Sequence, residues 1–142
     1  MPEFRTVLDG VTAHLDEHPD AVAFRELDGR TWTWRDYIDA AARFAGGLRA
    51  LGVGRGDRVV LMLRNRLEFH VADLGALLVG ATPISIYNSS SPEQIAYLVG
   101  HCEAVAAVTE EGDYLDRFLT AEMPTVRAVI VVGEAPDGLH RY

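Results

Sequence analysis

A chain of 142 residues, 49% of them hydrophobic and 24% charged, has the length and composition of one globular domain with a real core. Its net charge of −8 argues against nucleic acid as a partner, because phosphate binding needs clustered cations and no Lys/Arg-rich run offsets the deficit. All thirteen cationic side chains are arginine, and the absence of lysine excludes a P-loop lysine, a Schiff-base lysine and a lysine nucleophile.

Phe4, Val7, Leu8, Val11 and Leu15 recur at helical spacing, which predicts a first helix ending near His18-Pro19. Residues 21–27 and 30–34 follow as two strands, joined by Asp28-Gly29 into a β-hairpin. Thr33 and Asp36 make a capping-box start for a second helix. Its buried face would be Tyr37, Ala41, Phe44, Ala45, Leu48 and Leu51, with Gly52 as the stop. The continuous apolar run 59–63 predicts a strand covered on both faces, and 67–79 a largely apolar helix. Residues 82–87 form the next strand. Ser91, Pro92 and Gln94 then open a helix with Ile95, Leu98, Val99 and Cys102 on one face. Residues 104–109 are a strand, 114–123 a helix and 126–132 a last strand, with 134–142 left as a loose tail.

Steady alternation of strand and helix predicts an α/β fold: a doubly wound, mostly parallel sheet with helices on both faces and an N-terminal β-hairpin. The single cysteine, Cys102, forms no internal disulfide and suggests a reducing compartment. No charged-then-apolar leader and no bilayer-length apolar run are visible. The expected location is cytoplasmic, without a transmembrane segment.

Gly52, Gly54 and Gly56 imitate a dinucleotide loop, but they follow a helix and open a strand, which is the wrong order, so they are turn residues. Asn88-Ser89-Ser90 matches a glycosylation acceptor that is inert without secretion. His101 and Cys102 have no further ligands at a metal spacing. No Gly-x-Ser-x-Gly elbow is present. The candidates for a pocket wall are Tyr87, Asn88 and Ser89, which follow the carboxyl end of a parallel strand, and Arg64, Asn65 and Arg66, which leave the preceding strand at the same sheet edge.

These segments resemble the N-terminal core of the adenylate-forming superfamily, which includes acyl-CoA synthetases, luciferases and the adenylation domains of peptide synthetases. The stretch Thr31-Trp32-Thr33-Trp34-Arg35-Asp36-Tyr37, followed by Leu48-Arg49-Ala50-Leu51-Gly52-Val53 and Gly56-Asp57-Arg58-Val59, is similar to its first core motif. Gly75-Ala76-Leu77-Leu78-Val79-Gly80-Ala81-Thr82-Pro83 is similar to its second, in matching order and separation. The loop Pro83-Ile84-Ser85-Ile86-Tyr87-Asn88-Ser89-Ser90-Ser91-Pro92-Glu93-Gln94-Ile95 resembles bacterial long-chain fatty-acid–CoA ligases in particular.

The resemblance implies a two-step reaction. A fatty carboxylate attacks the α-phosphate of Mg-ATP to give acyl-AMP and pyrophosphate, and coenzyme A thiolate then displaces AMP. That chemistry needs a phosphate-cradling loop, a carboxylate for Mg²⁺, an acidic residue for the ribose and a mobile lysine. None has a matching position here. The expectation is therefore an incomplete N-terminal scaffold domain over 1–142, a truncated piece inactive by itself and without its own cofactor. ATP, Mg²⁺, coenzyme A and fatty acid would belong to the whole ligase, and its partner would be the missing remainder of its own chain. An apolar face left bare on the helix 67–79, together with an unpaired strand edge, would drive self-association. The alternatives are a stand-alone α/β interaction module without enzyme activity, or a piece of a medium-chain, aryl or amino-acid-activating branch.

Overall fold

The computed structural model describes residues 6–142, so Phe4 lies outside the described residues. Helix α1 (Val7–Glu17) starts from a Thr6–Asp9 capping box, and β1 (Val22–Arg25) pairs antiparallel with β2 (Thr31–Thr33). Helix α2 (Trp34–Ala50) begins from the predicted box, in which the Thr33 hydroxyl accepts the Asp36 N–H and the Asp36 carboxylate accepts the Thr33 N–H. The remaining elements are β3 (Arg58–Met62), α3 (Leu67–Leu78), β4 (Thr82–Ser85), α4 (Pro92–Cys102), β5 (Ala106–Glu110), α5 (Asp113–Thr120), β6 (Ala128–Val132) and β7 (His140–Arg141).

The five-stranded sheet runs β4-β3-β5-β6-β7 and every pairing in it is parallel. Its strands are apolar on both faces because both faces are covered. Val59, Leu61, Ala106, Val108 and Ile130 pack toward α2 and α3, whereas Val60, Met62 and Ala107 pack with Ile95, Val99 and Phe118 of α4 and α5. The period-2 alternation of side chains thus serves two cores from one run. The α/β class, the helices on both faces and the hairpin are as the sequence predicts.

Four local expectations need correction. Tyr87 is not a strand residue, since β4 ends at Ser85 and only the Ile86 N–H still reaches the sheet, at the Leu61 carbonyl. Helix α5 stops at Thr120 rather than 123: Ala121 is already extended, and Pro124 has no N–H to bond back to the Thr120 carbonyl. Residues 134–142 are not a loose tail: β7 pairs Ile130 with His140 and Val131 with Arg141, and the Tyr142 ring sits 5.3 Å from that of Phe44. The face of α3 expected to lie bare is covered by α2, with Leu67, Val71, Ala72, Leu74, Gly75 and Ala76 all buried. That removes the apolar face as a ground for self-association, and nothing in the described residues supports it otherwise.

The α2–α3 contact is close because of Gly75, where a Cβ would stand 2.7 Å from Phe44 Cδ1 and 3.1 Å from the Ala41 carbonyl. Tyr37 ties the same helices by donating its hydroxyl to the His70 carbonyl at 3.1 Å, and burial first, then Asp73, pushes its pKa up to about 12. The glycine run is a turn, with left-handed backbone at Gly52 and Gly56. No described helix is long and apolar enough to cross a membrane.

Candidate functional site

The chain reverses its direction of travel across the sheet between β3 and β5, since β4 lies on one side of β3 and β5 to β7 on the other. Crevices outside the carboxyl ends of strands at such a point are where open α/β sheets bind ligands. Here the position is filled by an ion cluster. Glu110 ends β5 with 1% of its surface exposed. Its carboxylate accepts from Arg64 Nη2 at 2.6 Å and Nε at 2.9 Å, and from Arg66 Nη1 at 3.1 Å. The Arg64 backbone N–H also donates to it. Burial would push this carboxyl up, but the Arg64 side chain and backbone outweigh that and hold it below the ordinary glutamate range. Arg66 is shared with Glu68, at 2.7 and 2.9 Å.

Beside the cluster, Arg117 on α5 donates to the carbonyls of Asn88 and Ser90 at 2.7 and 2.8 Å, which pins the β4–α4 loop. The Tyr114 ring is approached by Arg117 Cζ at 5.1 Å and Arg64 Cζ at 5.9 Å, linking the two groups. Ser91 spends its hydroxyl on α4, accepting the Gln94 N–H and donating to Glu93 at 2.7 Å. That bond holds the Glu93 carboxyl below its ordinary range.

The sequence candidates separate. Tyr87 and Ser89 line one cleft of about 420 Å³, together with Ser90 and with Glu93, Gln94, Tyr97 and Leu98 of α4. Leu98, expected on the buried face of α4, turns to this cleft instead. Asn88 contributes its carbonyl to Arg117, Arg64 belongs to the Glu110 cluster, and Asn65 is exposed beside it. Sequence reasoning passed over Glu110, Arg117 and Tyr114, whereas Arg66, named with Arg64 and Asn65, does join the Glu110 cluster. One signal for Glu110 was present: a carboxylate closing an apolar strand must find cations when it is buried.

The cleft offers two exposed tyrosine rings and several hydroxyls, which are contacts for binding. No histidine lines it to act as a base for the serines. A Mg²⁺–ATP complex does not fit these side chains either. The buried carboxylate is already neutralised by two guanidiniums, and no group of three His, Cys, Asp or Glu gathers among the described residues.

Fold and loops together define a parallel, doubly wound α/β domain with its polar loops at the carboxyl edge. Residues 11–140 match the AMP-binding enzyme family, and the chain belongs to that family. An uncharacterized protein of Mycobacterium tuberculosis is 44% identical over 126 residues, covering 88% of this chain and 70% of that protein. A long-chain-fatty-acid–CoA ligase of the same organism is 34% identical over 143 residues, covering 94% of this chain but 24% of the ligase. Among solved structures, a benzoate CoA ligase from Burkholderia xenovorans superposes with a TM-score of 0.78 at 25% identity, covering 88% of this chain and 25% of that one. The chain thus spans about a quarter of the ligases it matches.

Proposed function

We propose that this chain acts as the N-terminal scaffold of an ATP-dependent fatty acid–CoA ligase of the long-chain branch, in the cytoplasm. The observation that carries this reading is the loop of residues 83–95, which resembles that branch, and the 34% identity with a long-chain-fatty-acid–CoA ligase along 94% of the chain agrees with it. The β4–α4 loop that resembles that branch is held in one shape by Arg117, as a wall segment requires. The chain supplies a sheet and a loop edge, and the triphosphate loop, Mg²⁺ ligand and lysine come from sequence that it does not contain.

The test joins residues 1–142 to the last three quarters of the mycobacterial ligase and follows pyrophosphate release with ATP, Mg²⁺, coenzyme A and an acid. Release with palmitate supports the long-chain reading. Release with benzoate but not palmitate moves the chain to an aryl branch, and a folded chimera inactive with both sinks the scaffold reading.

A second reading, a stand-alone interaction module, draws support from one observation: the chain spans 70% of the 44%-identical mycobacterial protein, so a relative of comparable length exists. Cooperative unfolding of the 142-residue chain, together with a folded but inactive chimera, is the outcome that favours it.

A further inference from the structure

A separate cavity of about 620 Å³ lies on the opposite face of the sheet from the loop cleft, between α2, the start of α3, β6 and β7. Pockets that enclose small molecules fall within about 300–1,000 Å³. Phe44, Leu48, Leu67 and Ile130 give it an apolar wall, and Arg43 and Arg141 also line it. Neither guanidinium has a hydrogen bond or ion pair among the described residues. The acidic lining residue, Glu68, is already taken by Arg66. The cavity therefore pairs a hydrocarbon surface with two guanidiniums whose N–H donors have no partner among the described residues.

We propose that it binds an amphipathic anion, with a hydrocarbon chain along the apolar wall and an acid headgroup at Arg43 and Arg141. A threaded polypeptide suits the apolar wall less well, because its backbone N–H and C=O groups would find no partner along Phe44, Leu48, Leu67 and Ile130. A hydrocarbon chain has no such groups to strand. This binding changes no covalent bond and stands apart from the adenylation reading, so either can fail without the other.

The probe is laurate, titrated below its micelle-forming concentration against the Trp34→Phe chain, in which Trp32 on the cavity wall is the remaining indole. The fluorescence should saturate at one laurate per chain. Arg43→Ala with Arg141→Ala should weaken laurate by about tenfold while leaving neutral dodecanol unchanged, as expected for a charge-assisted contact. Gly47→Leu should abolish binding of both. Gly47 lines the cavity on α2, a Cβ there meets no atom within 4 Å, and leucine suits a helix better than glycine. A thermal melt confirms that each variant is folded. Three results would overturn the proposal: no saturation by laurate, undiminished binding in folded Gly47→Leu, or equal loss of laurate and dodecanol in the arginine variant. A dimer that Gly47→Leu dissociates, with no laurate binding, would give the cavity to a second copy and overturn it as well.

Discussion

Glu110 Oε2 lies 2.6 Å from Arg64 Nη2 although the residues are 46 positions apart, because β5 and β3 are neighbours at the point where the sheet changes direction. The carboxylate is buried and takes bonds from two arginines, so deleting it leaves several donors without their acceptor. Glu110→Ala should cost about 1–3 kcal/mol in urea unfolding. Arg66→Ala should cost less, since Arg64 keeps its bonds to Glu110. Equal losses for the two would mean that the carboxylate is not the hub.

The pH dependence of stability should show two opposite signs. Glu110 is held below its ordinary value of 4.5 in the folded state. Its contribution is complete above 4.5 and disappears as pH falls through the lower folded value. Asp73 is shifted the other way, raised above 3.8 by burial, with His70 opposing. The folded state then takes up the proton more readily, so ionised Asp73 is a liability at neutral pH that vanishes on acidification. Asp73→Asn should therefore melt higher than the native chain at pH 7, with the gap closing as pH falls. Glu110→Gln should flatten the acid limb. Parallel melting curves for Asp73→Asn and the native chain at every pH would refute the Asp73 half.

Two glycines should respond in opposite directions. A side chain at Gly75 collides with Phe44 and the Ala41 carbonyl, so Gly75→Leu should lose about 1–3 kcal/mol or more through overpacking. Gly46, also in a helix, has nothing within 4 Å, and Gly46→Ala should gain up to about 1 kcal/mol from helix propensity. Thermal melts of both decide it, and a neutral Gly75→Leu would show that the two helices separate easily.

Arg117 holds the β4–α4 loop through two carbonyls, and its guanidinium is largely buried. Arg117→Ala should cost about 1.5–3 kcal/mol, the range for hydrogen bonds made by a charged group. Amide exchange should speed up at Ser89 and Ser90 while β6 is unaffected. Uniform acceleration would point to global loosening instead.

The 142-residue chain alone should release no pyrophosphate from ATP with palmitate and coenzyme A, whatever the Mg²⁺ concentration. It has no lysine, and its buried carboxylate is spent on arginines. Release above a blank, from protein free of contaminating enzyme, contradicts this inventory of the site.

What was legible in the sequence was local. Thr33 with Asp36 and Ser91 with Gln94 announce their helices because each cap closes within three residues. The apolar runs at β3, β5 and β6 announce a sheet covered on both faces. The family resemblance was equally plain, being carried by contiguous motifs. What stayed hidden depends on distance along the chain. Nothing near Arg64 points to Glu110, nor near Arg117 to the carbonyls of residues 88 and 90, so the sequence names neither pairing, even though a carboxylate closing an apolar strand calls for cations somewhere. The two-residue strand β7 is too short for any periodicity to reveal, and only the neighbouring β6 makes it a strand. Tyr87 and Ser89 were singled out because a loop after a parallel strand is where such sheets bind ligands, and Arg64, Asn65 and Arg66 were grouped with them by the same rule. The rule locates an edge of the sheet but cannot tell which loops on that edge face one another.

The place of β3 between β4 and β5 bears on the order in which the chain can assemble as it leaves the ribosome. Val59 to Met62 must find Pro83 to Ser85 on one side and Ala106 to Thr109 on the other, and both lie downstream. The β3-α3-β4 unit can close early, since it spans one short crossover. The other edge of β3 then waits, apolar and unpaired, until the nascent chain has reached Glu110. During that interval the exposed strand is a hazard for joining a neighbouring chain. The opposite edge of the early unit is blunted by Pro83 in β4, which has no backbone N–H to offer a passing strand. Slowing translation while residues 86–110 are emerging from the ribosome should therefore raise the aggregated fraction, and slowing it once Glu110 has emerged should not.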